Sequence, residues 1–335
     1  MMRISRQAVL LLAVALCTAW PAAAQSHAAT PPLPKHILVG YWQNFVSNGA
    51  AVQMLSQVPA TYNIVEVSFA TPNKPLDGTV SFEIDPQLSS AIPGGYSPYR
   101  FTSDIKLLHK QGRYVLLSVG GQHRSFALTS SEMATHFADS TYALMKKFGF
   151  DGIDIDLENV ITADNYKFLE DALRQLSAKA GPKLILTLAP QPSDMLPANP
   201  ALDNYLKMAI DLGSIVTMVN TQYYNSGTKR GRDGKVYTDG TIDFVTSQAD
   251  AVLQYLSPSQ VGLGFPAYST GRGYLTPAQV NAAVDCLTAG TNCGTYIPVA
   301  KYPALRGVMD WSTNWDAANG NGFSTTVAAH LRELP

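Results

Sequence analysis

Eight short apolar runs rich in β-branched residues recur along the chain, and they constrain its fold more than any other feature. They are "HILVGYW" (36–42), "NIVEVSFA" (63–70), "RYVLLSVGG" (113–121), "GFDGIDIDLE" (149–158), "KLILTLAP" (183–190), "SIVTMVNTQYY" (214–224), "QVGLGFPA" (260–267) and "LRGVMDWS" (305–312). Several are nearly continuous in Val, Ile and Leu, as strands covered on both faces must be. Segments with helical spacing lie between them. "SEMATHFADSTYALMKKFG" opens after Ser130 or Ser131 and stops at Gly149. "TADNYKFLEDALRQLSAKAG" offers Thr162 as a cap and stops at Gly181, and Thr276 followed by Pro277 opens a third helix. Strand and helix alternating eight times predict an α/β chain folded as a parallel (β/α)8 TIM barrel. An open doubly wound sheet is the alternative, but no G-x-G-x-x-G turn follows the first run to favour it.

The ends of the chain bear on where it works. "MMRISR" carries two positive charges, "AVLLLAVALCTAW" is apolar but too short for a bilayer, and "PAAAQ" ends in small residues. This is the pattern of a secretory signal peptide over residues 1–24, cut near Ala24–Gln25, with an N-terminal membrane anchor as the alternative. A lipoprotein reading of Cys17 is disfavoured because Leu16, not a small residue, precedes it. Residues 25–35 read as a flexible lead-in, and 36–335 as one catalytic domain. Without Arg3 and Arg6, 22 of the 24 basic side chains remain to face 25 acidic ones, a formal charge of about −3. The basic residues are scattered rather than striped, so no nucleic-acid partner is expected, nor a membrane once the leader is removed. Cys286 and Cys293 stand seven apart and are expected to pair in an oxidising compartment. A soluble monomer is the expected state.

Function is concentrated in "FGFDGIDIDLEN" (148–159). If 150–158 is a strand, Asp154, Asp156 and Glu158 share parity and face the barrel interior, with Glu158 at the carboxyl end where barrel active sites lie. Asp151 has the opposite parity and reads as structural. Three carboxylates in one buried row cannot all ionise cheaply, so at least one proton is shared among them near neutral pH. Such a row suits a general acid at Glu158. A metal site would need ligands from other strands, and none of the six His forms an H-x-x-x-H pair; no metal or cofactor is expected. A purely structural row is disfavoured, since apolar residues fill a barrel at lower cost.

"DGIDIDLE" resembles the D-x-x-D-x-D-x-E signature of glycoside hydrolase family 18, the chitinases and their relatives. "LLSVGG" (116–121), "TLAPQ" (187–191), "QYYN" (222–225), "MDWS" (309–312) and "VGYWQNF" (39–45) resemble other strand ends of that family, in its order, over nearly the whole of 36–335. The resemblance implies hydrolysis assisted by the substrate's own 2-acetamido oxygen. The catalytic candidates it implies are Glu158 as acid and then base, Asp156 orienting the acetamido N–H, Asp154 sharing its proton, and Tyr224 bonding the acetamido oxygen. Trp311 would lie beneath the sugar, and Gln222, Tyr41 and Phe69 are candidates to line the same wall. Met309 and Asp310 are given no catalytic role, and His123 reads as a surface residue on the active face. The stretch 268–304 is too short for the α/β insertion of many processive members, so a shallow groove cutting chains internally is expected. The implied partner is chitin or N-acetylglucosamine oligosaccharides. An endo-β-N-acetylglucosaminidase acting on glycoprotein glycans, or a non-catalytic lectin, are the alternatives; retention of Glu158, Asp156 and Tyr224 argues against the lectin.

Overall fold

A computed structural model describes residues 32–195 and 204–335. The signal-peptide segment and most of the lead-in lie outside the described residues. Each apolar run carries a strand: β1 (Ile37–Gln43), β2 (Ile64–Pro72), β3 (Tyr114–Gly120), β4 (Gly152–Asp156), β5 (Ile185–Leu188), β6 (Met218–Gln222), β7 (Val261–Pro266) and β8 (Gly307–Trp311). All eight pair in parallel in chain order, and β1 pairs with both β2 and β8, which closes the (β/α)8 barrel. A two-residue strand, Val80–Ser81, runs antiparallel to the end of β2, and a small hairpin joins Thr228–Arg230 to Val236–Thr238.

The two faces of each strand have different tasks. Outward side chains pack against the helices in one large core. Inward ones, including Ile37, Val39, Ile64, Leu116, Ile185, Met218 and Met309, form a smaller core inside the barrel. The helix Ser131–Phe148 follows its sequence signals: the Ser130 hydroxyl accepts from Met133 N–H at 3.2 Å, and Gly149 ends it at φ 88°. The helix Pro277–Ala289 likewise opens with Thr276 and Gln279 bonding reciprocally. The Thr162 expectation fails. That helix begins at Tyr166, because Asn165 takes the Thr162 N–H on its own side-chain oxygen at 2.8 Å and extends the loop by a turn.

The link between β7 and β8 holds the helix Pro277–Ala289 and a disulfide between Cys286 and Cys293. Asp151 is structural, as expected. Its carboxylate bonds His109 and the backbone N–H of Val115, both at 2.8 Å, pinning the start of β4 to the strand and helix before it. Met309 packs inside the barrel, whereas Asp310 points outward to the Tyr62 phenol at 2.7 Å. Among the described residues no helix is long and apolar enough to cross a membrane.

Candidate active site

A cavity of about 780 Å³ opens at the carboxyl end of the barrel, and every barrel strand or the loop directly after it contributes to its lining. Strand register determines which side chains meet. Ser118 stands opposite Asp154, Asp154 opposite Thr187, and Gly120 opposite Asp156. The acid row on β4 therefore rises from the barrel interior toward the cavity.

Asp154 is fully buried and does not reach the cavity. One of its oxygens accepts from the Tyr41 phenol (2.6 Å) and the Ser118 hydroxyl (2.7 Å); the other lies 2.9 Å from Thr187 Oγ1. Burial pushes its carboxyl up to about 6, against the three hydroxyl bonds that favour its charge. Asp156 is 5% exposed and lies at the cavity wall. It accepts from Gln222 Nε2 at 2.9 Å, and the same nitrogen donates to the Ala189 carbonyl at 2.8 Å, so the amide orientation is fixed. Burial, then the charges of Glu158, Asp154 and Glu66, hold Asp156 well above the ordinary carboxyl range.

Glu158 lies two residues beyond the end of β4, half-buried on the cavity wall. Its backbone is held from two sides. Its own N–H donates to Ser125 Oγ at 2.7 Å, and the Tyr205 phenol accepts from Leu157 N–H (2.9 Å) while donating to Leu157 C=O (3.0 Å). Its carboxyl accepts from Gln191 Nε2 at 3.1 Å. Burial raises its pKa, offset in part by that bond and by His123. The two glycines of "SVGG" shape the approach. Gly120 adopts φ 119°, and a Cβ there would lie 2.2 Å from the Asp156 carbonyl oxygen; Gly121 adopts φ 80° with its absent Cβ 2.7 Å from the Phe69 ring. The Gly121 N–H bonds that same Asp156 carbonyl at 2.7 Å.

Trp311, Phe69, Gln222 and Tyr224 all line the cavity. Trp311 stacks on Phe69 with ring centres 5.8 Å apart and 14° between planes. Such an apolar face next to two carboxyl groups and a phenol suits a sugar ring, whose faces are apolar and whose edge is polar. Tyr41 does not line the wall. It is buried beneath it, its ring 5.3 Å from that of Trp311 and its hydroxyl committed to Asp154, so its expected substrate contact is replaced by a supporting one. His123, read from the sequence as a surface residue, lines the cavity.

Four residues carry more than the sequence suggested. Gln191, inside "TLAPQ", bonds Glu158; its parity with Thr187 at the end of β5 was the available signal. Phe45 and Tyr268 add aromatic surface to the cavity, with Tyr268 stacked on Trp315 at 4.5 Å. Glu66, a lone acid in "NIVEVSFA", is fully buried inside the barrel and bonded through Thr187. Asp156 and Glu158 are the two carboxylates of the cavity lining among the described residues.

The model of the family "Glycosyl hydrolases family 18" matches residues 37–326. Exochitinase 1 of Streptomyces olivaceoviridis is 31% identical over 338 residues, covering 89% of this chain and 56% of that protein. Chitinase D of Niallia circulans is 32% identical, covering 89% of this chain and 62% of that protein. The chain thus spans 56% to 62% of the length of these curated relatives. A crystal structure from Streptomyces coelicolor is 48% identical with a TM-score of 0.83, over 90% of this chain and 99% of that one.

Proposed function

The chain belongs to glycosyl hydrolase family 18, and on that premise we propose that it is a secreted, endo-acting chitinase that hydrolyses β-1,4 N-acetylglucosaminide bonds with retention of configuration. The observation that carries the mechanism is the pairing of one half-buried acid, Glu158, with a buried neighbour two residues before it, and no further carboxylate among the described lining residues. An ordinary retaining glycosidase needs a second carboxylate as nucleophile across the scissile bond. Here the substrate's 2-acetamido oxygen takes that part, attacking the anomeric carbon to give an oxazolinium ion.

Each residue then has a task that its surroundings support. Glu158, its carboxyl raised by burial, gives its proton to the glycosidic oxygen and later takes one from the attacking water. Asp156 orients the acetamido N–H and steadies the positive charge that develops on the ring nitrogen. Tyr224, buried with its pKa raised and therefore keeping its proton, donates to the acetamido oxygen. Asp154 supports Asp156 from below through the proton the row shares. Trp311 on Phe69 holds the sugar's apolar face. These groups act by positioning and by fixed charge rather than by covalent attack.

Internal cleavage is supported by the single-helix link between β7 and β8, which raises no extra wall over the groove. Export rests on the leader-like residues 1–24, with 25–35 as lead-in and 36–335 as the catalytic unit. Digestion of an N-acetylglucosamine hexamer beside a high-mannose glycopeptide tests the reading. Early products cut at several internal bonds of the hexamer, with the glycopeptide intact, are expected. Release of disaccharide alone from one end would make the action exo, and release of the glycan would make the enzyme an endo-β-N-acetylglucosaminidase.

A further inference from the structure

The mechanism leaves one buried acid unused. Glu66, on β2, is fully inaccessible to solvent, and its Oε2 has no hydrogen-bond partner. Its Oε1 lies 2.7 Å from Thr187 Oγ1, which also lies 2.9 Å from Asp154 Oδ1. Both separations are those of hydrogen bonds, yet a threonine hydroxyl carries one hydrogen. Two carboxylates cannot both be served by it, so one of the pair must itself be protonated and donate to the Thr187 oxygen.

The surroundings say how that proton divides. Asp154 already accepts from Ser118 and from the Tyr41 phenol, so it tolerates charge, whereas Glu66 has Thr187 and only a secondary interaction with a phenol whose proton is given to Asp154. The ionisable groups that act on Glu66 are Tyr41 on β1, Asp154 and Asp156 on β4, all facing it, and Asp310, whose charge acts from the outer face of β8; none is a cation. Moving the proton from Glu66 through the hydroxyl to Asp154 costs no net charge and no bond. Glu66 gives its hydrogen to Thr187 Oγ1, and Thr187 gives its own to Asp154.

We propose that Glu66 is a proton reservoir for the catalytic row, passing a proton to Asp154 through the Thr187 hydroxyl when Asp156 turns away from Asp154 and takes the shared proton with it. It is a positioning residue that touches no substrate, and the proposal rests on the acid-row mechanism above. Burial and the neighbouring Asp154 charge raise Glu66 well above the ordinary carboxyl range, so it still holds its proton where Asp154, at about 6, has begun to lose one.

The test compares pH profiles of kcat on the N-acetylglucosamine hexamer for the wild type, Glu66→Gln, Thr187→Val and Thr187→Ser. Glu66→Gln keeps the shape but cannot pass a proton on, and Thr187→Val breaks the relay. Both should match the wild type on the acid side, where Asp154 holds its own proton, and both should bring the alkaline limb down by about one pH unit, the strength of interaction above which two sites titrate as a pair. KM should be unchanged, the double variant should be no worse than either single one, and Thr187→Ser should restore the profile. A Glu66→Gln or Thr187→Val enzyme with an unmoved alkaline limb, or with a loss equal at all pH, would overturn the proposal. Infrared difference spectra of the full chain supply a readout independent of activity. A protonated-carboxyl band persisting above neutral pH and lost in Glu66→Gln is expected, and a wild type without that band refutes the reservoir whatever the substrate proves to be.

Discussion

Replacing Glu158 by Gln isolates the proton on which the proposed chemistry turns. The amide has the volume of the acid, and its oxygen can still accept from Gln191 at the 3.1 Å position, so the loop held by Ser125 and Tyr205 has no reason to move. General acid catalysis contributes about 10²–10⁴ in rate, which is ~3–5 kcal/mol of barrier. The site argues for the upper part of that range, because the one other carboxyl lining the cavity, Asp156, is buried and held by Gln222. Stability should move the other way. Glu158 has a raised folded-state pKa, so its contribution is fully present below the unfolded value near 4.3 and is lost as pH rises through the folded value. Above the unfolded value the wild type carries the cost of that raised pKa, which Gln does not, and the variant's Tm should equal or slightly exceed the wild type's. Initial rates on the N-acetylglucosamine hexamer at saturation, with thermal unfolding at neutral pH, measure both. A correctly folded Glu158→Gln within about tenfold of wild-type kcat would refute the assignment. A large fall in Tm would refute the view of the loop as held by its backbone partners.

Tyr224→Phe and Asp156→Asn should each lower kcat more than they raise KM, since both groups are proposed to serve the cyclising acetamido group; a change confined to KM would show that they only bind. Gly120→Ala should lower both Tm and kcat, because the added Cβ would stand 2.2 Å from the Asp156 carbonyl and push the end of β4 out of register; an unaffected enzyme would mean that strand end is not fixed. Activity should survive EDTA, and loss on chelation restored by calcium or zinc would revive a metal role for the carboxylate row.

The barrel was legible because its strands are buried on both faces. That condition forces nearly continuous Val, Ile and Leu in short runs, and all eight runs carry a strand. Parity along "DGIDIDLE" was sufficient to separate Asp151, tied to His109, from the inward Asp154 and Asp156. What stayed hidden depends on register between strands. Tyr41 looked like a wall residue, but the β1 register sets it beside Glu66 and its hydroxyl reaches Asp154, below the cavity floor. Glu66 drew no attention as one acid in an apolar run; its meaning comes from Thr187, 121 positions away. Thr162 misled for a local reason, since the Asn165 side chain takes Thr162's own backbone N–H and the helix starts only at Tyr166.

Proton NMR of the first product released from the N-acetylglucosamine hexamer, taken before mutarotation, tests acetamido-assisted hydrolysis most directly. Two successive inversions at the anomeric carbon, by the acetamido oxygen and then by water, predict an initial β-anomer. Inhibition by a thiazoline mimic of the oxazolinium ion and inertness toward fully deacetylated chitosan should accompany it. An initial α-anomer would mean a single inversion by water, and would contradict the assignment of Asp156, Tyr224 and Glu158 to an acetamido nucleophile even if the enzyme degrades chitin.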